Sequence, residues 1–424
     1  MQQLLRRWWH LSRIEPDLDL VYHAHQRQEV APEELGVSAK GAAKIWQAVE
    51  DLYRTGTQPG ISFCLRRRGQ VLFNRSLGYA SGNGPEDRLW DEKRLMTPDT
   101  PVCIFSASKA VTALLMHKLA EQGVIDLLDP VSYYLPEFAA NGKRNITIHQ
   151  ILSHRGGIPG LPTKVPPDTL YNPEEIWRLL CAAKPIAADG HHLAYHAITG
   201  GFVMARVLEK VTGDSIQNYL DRHIRQPMGM KYFTYGIDEA HAPYVARNYF
   251  TGPKPPFPLS RIVQRALGAS LDRAAEVTND ERWRAAVVPA GNIYATAEEV
   301  SRFFQMMLNQ GEWQGQQLFE PITIQRAVHE FGSLRLDRSL YLPMRYSAGF
   351  MLGGDPVGMW GQWTGRAYGH VGLINKFCWA DPARDISVSL LTTGLPLVSH
   401  HLASLVKVLV QVNRYCTRNA KAGR

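Results

Sequence analysis

Pro101-Val102-Cys103-Ile104-Phe105-Ser106-Ala107-Ser108-Lys109-Ala110-Val111 joins two patterns, a short extended approach and the start of an apolar helix. Apolar residues recur at helical spacing through Leu114, Leu115, Leu119 and Ala120 until Gly123 stops the run. Ser106 therefore falls at the first turn of the helix. Positions i and i+3 share a helix face with Cβ atoms about 5–6 Å apart, so Lys109 can touch Ser106. A serine hydroxyl is a weak nucleophile until a neighbour takes its proton. A desolvated lysine amine can lose its own proton and serve that purpose. The N–H groups of a first helical turn lack internal partners and favour negative charge, which suits an oxyanion formed at Ser106.

The spacing by itself decides little, because the chain holds a second copy, Ser404-Leu405-Val406-Lys407. That copy lies inside the apolar run 402–412, where Leu402 and Ala403 already belong to the helix. Its serine meets no unpartnered N–H groups. Position favours the first copy.

Two further stretches can complete a site around Ser106. Tyr195 stands in Leu193-Ala194-Tyr195-His196-Ala197, just before a helical run over 198–211, and is a candidate proton carrier. His370-Val371-Gly372 opens an expected hairpin, with one strand over 371–380, a turn at Asp381-Pro382-Ala383-Arg384 and a second strand over 386–392. A glycine at the start of a strand lets a substrate approach the backbone closely, so an N–H nearby can join an oxyanion hole.

In this order the three stretches resemble the serine β-lactamase and DD-peptidase superfamily, in particular its class C-like branch and, within that, the family VIII carboxylesterases. The resemblance runs from about residue 59 to about 394. It includes Pro59-Gly60-Ile61-Ser62 through Leu77-Gly78-Tyr79-Ala80, a hairpin turning at Arg68-Gly69. It also includes Ile151-Leu152-Ser153-His154-Arg155-Gly156-Gly157-Ile158-Pro159, Gln226-Pro227-Met228-Gly229-Met230 and Pro289-Ala290-Gly291-Asn292-Ile293-Tyr294-Ala295-Thr296. The implied fold is α/β (α+β), an antiparallel sheet flanked by helices with an inserted, mainly helical lobe. The implied roles are Ser106 as acylated nucleophile, Lys109 as its partner, and Tyr195 as general base and then general acid. His370, Val371 and Gly372 match the family's Lys-Thr-Gly strand, and the N–H groups of Ser106 and Leu373 would form the oxyanion hole. The resemblance implies neither a metal nor a cofactor.

Two departures bear on the substrate. The β-lactamases of this branch carry Tyr-x-Asn, but Ala197 holds the third position here and offers no amide. Their Lys-Thr-Gly strand presents a cation and a hydroxyl, replaced here by an imidazole that is mostly neutral at pH 7 and an apolar side chain. Substrates with a carboxylate and an amide lose partners at such a site, and uncharged esters lose far less. The expected activity is hydrolysis of short-chain carboxylic esters, with a small-molecule ester as the substrate. A β-lactamase, a DD-peptidase or amide hydrolase, an acyltransferase, and a non-catalytic scaffold of the same fold are the alternatives. The Gly-x-Ser-x-Gly elbow of α/β-hydrolases is absent from the sequence.

Composition excludes several other classes. With 47 Lys and Arg against 39 Asp and Glu the net charge is +8, yet no basic stripe interleaved with aromatics accompanies it, so no nucleic-acid partner is expected. Five scattered cysteines make no disulfide framework. His23-Ala24-His25 and His191-His192 lack Glu or Cys at zinc-ligand spacing and read as surface histidines. No apolar run is long enough to span a bilayer, and the opening Met1-Gln2-Gln3-Leu4-Leu5-Arg6-Arg7-Trp8-Trp9-His10 lacks the core of a secretory signal and reads as a cap on the core. A cytoplasmic enzyme without stable membrane insertion is expected, its oligomeric state and natural substrate left open. In outline, residues 1–45 form an extension, 46–124 and 286–424 build an α/β lobe, and 125–285 form the helical lobe. Hairpins over 60–78 and 371–392 should share one sheet, with helices over 42–52, 106–122 and 398–413 near it. The loop 252–258 is expected to border the cleft.

Overall fold

A computed structural model describes residues 9–161, 165–373 and 375–418. Its centre is one antiparallel sheet. In chain order the elements that matter to the site begin with strand β1 (Tyr22–Ala24), helix α1 (Ala39–Arg54), and strands β2 (Gly60–Arg67), β3 (Gln70–Ser81) and β4 (Val102–Cys103). Helices α2 (Ser108–Glu121), α3 (Pro173–Ala182) and α4 (Thr199–Thr212) follow, then β5 (Thr234–Tyr235), β6 (Ile293–Ala295) and α5 (Ala297–Leu308). The chain closes with β7 (Met351–Leu352), β8 (Tyr368–Gly372), β9 (Lys376–Asp381), β10 (Ile386–Thr392) and α6 (His401–Tyr415).

The large sheet runs β1-β3-β2-β10-β9-β8-β7, and the short strand Arg94–Leu95 pairs with β3 beyond that path. Hairpins from the two ends of the chain therefore meet at β2 and β10, with Leu65 opposite Val388 and Ile61 opposite Thr392. The first hairpin turns at Arg68 and Gly69, both with positive φ (53° and 78°), as the right-handed twist of the strands requires of a two-residue turn. Strands β2, β9 and β10 are buried along their whole length, because helices cover both faces. Successive strand residues point to opposite faces. Ile61, Phe63 and Leu65 pack with Val49, Leu52, Leu405 and Val408 of α1 and α6. Cys64 and Leu391 face the other core, with Val300, Phe303 and Phe304 of α5 and Leu114 of α2.

Helix α2 is buried almost all round, from Ser108 to Leu119, which marks a helix threaded through a core rather than lying on it. A second sheet of three short strands, β4-β5-β6-containing and ordered β4-β6-β5, stands beside its N-terminus. Ile104 N–H donates to Ile293 O at 2.9 Å and so ties the approach to Ser106 onto β6. Helix α3 starts as its sequence indicates, with Asn172 capping the Glu175 N–H at 3.1 Å and Pro173 in the first turn.

Two of the expected elements have different bounds in the structure. The single strand expected over 371–380 is two strands, β8 and β9, with Gly372 paired opposite Lys376 across a tight turn. Leu373 gives no turn signal, and Asn375 fixes the return by donating from Nδ2 to Pro396 O at 2.8 Å. His370-Val371-Gly372 thus closes a strand instead of opening one. The helix expected over 42–52 starts at Ala39, under an N-cap from Ser38 to the Gly41 N–H at 3.0 Å. It runs across the position 45 taken as the end of the extension, and β1, upstream of it, adds an edge strand to the sheet. The loop 252–258 packs beside His10 and Pro396, with Gly252 N–H donating to His10 O at 3.1 Å. Residues 1–8 of the expected N-terminal cap lie outside the described residues, and the Trp9 ring lies tilted against His400 with ring centroids 6.3 Å apart.

The five cysteines are free, and all but Cys181 are buried. Among the described residues no helix is long and apolar enough to cross a membrane, and no group of three or more His, Cys, Asp or Glu side chains could hold a metal ion. His25 and His192 pair with Asp99 and Asp189 at 2.9 and 3.0 Å.

Candidate active site

Ser106 lies in a short 3-10 turn, Phe105–Ala107, which runs directly into α2. Phe105 takes a φ of +48°, a conformation that is strained for a bulky side chain. This kink lets Ser106 stay partly exposed while Phe105 and Ala107 are buried. One turn on, Lys109 points back toward it. The Lys109 Nζ stands 3.0 Å from Ser106 Oγ and 3.0 Å from the carbonyl oxygen of Ala290. No carboxylate pairs with this amine among the described residues. Burial alone pushes its pKa down to about 7, because the charged form loses its hydration.

Tyr195 comes from the irregular segment before α4. Its ring centroid is 4.9 Å from Lys109 Nζ, and its hydroxyl is close enough to Ser106 to feel that hydroxyl electrostatically. Burial raises the phenol pKa well above its ordinary value, opposed in part by the nearby Ser106 hydroxyl. The backbone here is held from two sides. Tyr195 N–H donates to Asp337 Oδ1 at 3.2 Å, and Ala194 N–H donates to His154 O at 3.0 Å. The His154 ring lies 4.6 Å from the Tyr195 ring and 4.8 Å from Tyr346. Asp337 is itself fully buried and also accepts from Ser339 N, Leu340 N and the Tyr346 hydroxyl.

Strand β8 brings His370, Val371 and Gly372 to the same place. A Cβ on Gly372 would stand 2.0 Å from Ile104 O, so only glycine lets β8 lie against the turn that carries Ser106. Leu373, partly exposed, follows at the tip. The His370 ring centroid is 6.1 Å from that of Tyr195. Its Nδ1 donates to Val371 O at 2.9 Å, and its Nε2 is buried without a partner. Burial, helped by the nearby Lys109, pushes the His370 pKa down to about 3, so the imidazole is neutral. Ala197 is buried and offers no polar group.

The fold thus brings Ser106, Lys109, Tyr195, His370, Val371 and Gly372 together from three distant segments, with Leu373 beside them. The Ser404 copy stays apart, near the start of α6 but already inside the helix, whose N-cap is His400. Sequence reasoning missed Asp337, which has no motif around it, and gave no role to His154, although His154 lies inside a stretch quoted for the resemblance. It also passed over Lys376, hidden in what read as a plain apolar strand.

An antiparallel sheet flanked by helices, with a buried helix opening on a Ser-x-x-Lys turn at its side, defines the β-lactamase/transpeptidase-like class of proteins. Residues 46–410 match the family described as Beta-lactamase, and the chain belongs to that family, within the serine β-lactamase and DD-peptidase superfamily. Its chemistry is of the serine-hydrolase type. Among curated proteins it is 27% identical over 338 residues to the esterase/beta-lactamase LipL of Mycobacterium tuberculosis, covering 77% of each chain. It is 28% identical over 259 residues to the putative penicillin-binding protein PbpX of Bacillus subtilis, where it spans 56% of that protein's length and 60% of its own. Among solved structures, a family VIII carboxylesterase superimposes with a TM-score of 0.75 at 25% identity, over 90% of this chain and 99% of that one.

Proposed function

We propose that this protein is a serine carboxylesterase that cleaves short-chain acyl esters through an acyl-enzyme on Ser106. The observation that carries the reading is the Lys109 amine, buried without a carboxylate and 3.0 Å from Ser106 Oγ. Above about pH 7 it is neutral and can take the hydroxyl proton as Oγ attacks the ester carbonyl. The carbonyl oxygen, now an anion, moves toward the N–H groups of Ser106 and Leu373; one such donor is worth about 3 kcal/mol to a transition state. Tyr195 keeps its proton at neutral pH because its phenol is buried. It gives that proton to the departing alkoxide and recovers one from the Lys109 ammonium. Water then attacks the acyl-enzyme with the proton transfers reversed, releasing the acid and restoring Ser106.

The surroundings favour uncharged substrates. His370 is neutral, Val371 is apolar and Ala197 is a methyl group, so a substrate carboxylate or side-chain amide meets no partner from these positions. The likeness to a family VIII carboxylesterase supports the same reading. Purified protein should turn over p-nitrophenyl butyrate, and S106A should not. Turnover by S106A at the unsubstituted rate would remove Ser106 as nucleophile. The double name of the relative LipL, esterase and β-lactamase, favours a second, weaker activity. Nitrocefin should be hydrolysed with kcat/KM at least about a thousandfold below the ester, and equal values would show that His370, Val371 and Ala197 do not set the substrate.

A further inference from the structure

Lys376 is a buried amine beside this site that the chemistry above leaves unused. It opens β9 directly opposite Gly372. The side chain is fully buried, and its Nζ has no hydrogen-bond partner among the described residues. No carboxylate among the described residues pairs with it. Instead Nζ stands 4.4 Å from the centroid of the Phe105 ring, a cation over an aromatic face. An unpaired buried ammonium is costly, and an apolar residue of similar size would normally be better tolerated. A charge kept in such a place calls for a use.

The position supplies one. Phe105 is the strained residue whose following peptide carries the Ser106 N–H. Its ring lies beneath the Lys376 ammonium, while the Lys376 backbone pairs with Gly372, one residue before the Leu373 N–H. Lys376 therefore touches the supports of both N–H groups. The thiols that face it are Cys103 on β4 and Cys378 on its own strand, and burial pushes these up to about 11 and 12. Burial lowers Lys376 itself to about 8. At neutral pH the amine is mainly charged, and neither thiol is ionised to offset it.

We propose that Lys376 is a positioning residue of the oxyanion hole. It clamps Phe105 so that the Ser106 and Leu373 N–H groups converge, and its buried charge favours the anionic tetrahedral adduct over the neutral ester. This rests on the reading of Ser106 as nucleophile. The test compares the full chain with K376M, K376R and F105L. Two quantities are read: kcat and KM for p-nitrophenyl butyrate, and the affinity of phenylboronic acid, which adds to a serine Oγ as a tetrahedral anion.

K376M should lose about 10- to 100-fold in kcat with KM within about threefold, and bind the boronic acid about tenfold more weakly. K376R should recover part of both losses. F105L should lose kcat in the same way, and K376M placed on F105L should cost clearly less than K376M alone, because the two residues act through one contact. If K376M does not fold, F105L and K376R carry the same comparison. A folded K376M with unchanged kcat and boronic-acid affinity, while Ser106 still takes a fluorophosphonate label, overturns the role of Lys376 and leaves the nucleophile standing. Absence of that label in the unsubstituted chain overturns both.

Discussion

The chain carries the same four-residue pattern twice, and the two copies behave differently. At Ser106 the pattern starts a buried helix, and Lys109 is 92% buried, bonded to Ser106 and a carbonyl. At Ser404 it lies inside the early part of α6, on its outer side, where Lys407 pairs with Asp51 at 2.5 Å instead of with its serine. A lysine that can reach water or a carboxylate stays charged and has no proton-accepting role. A lysine denied both becomes a base. Burial, rather than spacing, sets the two pairs apart.

The sharpest way to break this contrast is to remove each serine. S106A should lower kcat for a p-nitrophenyl ester by about 10⁵-fold or more, as loss of a covalent nucleophile does. S404A should stay within about twofold. Mass spectrometry after fluorophosphonate treatment should find the adduct on Ser106 alone, and an adduct on Ser404 would show that the position in the helix was given too much weight.

The next effect is on pH. Burial lowers the Lys109 pKa to about 7, and in the proposed mechanism its neutral form accepts the serine proton. Activity should therefore rise with pH through about 7 toward a plateau, which Lys376 bounds on the alkaline side as it loses its charge above about 8. Two units below that midpoint, kcat/KM should be about a hundredth of the plateau. The buried imidazoles cannot mimic this limb, because His196 and His370 are pushed down to about 3 and His154 falls well below its ordinary value. K109R, which cannot give up its proton, should lose about 10³-fold in activity together with the limb. A K109R profile that still rises through pH 7 would assign the limb to another group.

A smaller effect tests the scaffold that the first copy has and the second lacks. Asp337 holds the backbone of Tyr195 and the hydroxyl of Tyr346 from a fully buried position. D337A would leave several buried donors unpartnered, which should cost about 1–3 kcal/mol of stability in urea unfolding. It should also lower kcat by roughly tenfold as Tyr195 loosens. Loss of stability without loss of kcat would limit Asp337 to folding.

How much of this could be read from the chain follows the range of the interactions. Local signals served well: the Asn172 cap, the Arg68-Gly69 turn and the helix after Ser106 are all set by neighbours in sequence. The pairing of β2 with β10 was legible because both hairpins alternate or bury completely. The strands β4, β5 and β6 have two or three residues each, too short for any period to show. The β8–β9 turn carries no glycine or proline in its centre, so two strands read as one. Asp337 and Lys376 make their contacts across long stretches of chain, and their types reveal nothing until the fold places one against the Tyr195 backbone and the other over the Phe105 ring.

The smallest predicted effect is at Lys407, and it is informative for that reason. Its ion pair with Asp51 joins α6 to α1 across the surface, with side-chain exposures of 46% and 29%. Exposed pairs of this kind contribute about 0–1 kcal/mol, because the side chains lose freedom and solvent screens the charges. K407A should therefore shift the unfolding midpoint by less than that amount and leave kcat unchanged. Salt should weaken even this small difference. The same truncation at Lys109 removes activity, so a K407A that lowered kcat would mean that the α1–α6 face communicates with the cleft through the sheet, and the separation of the two copies would fail.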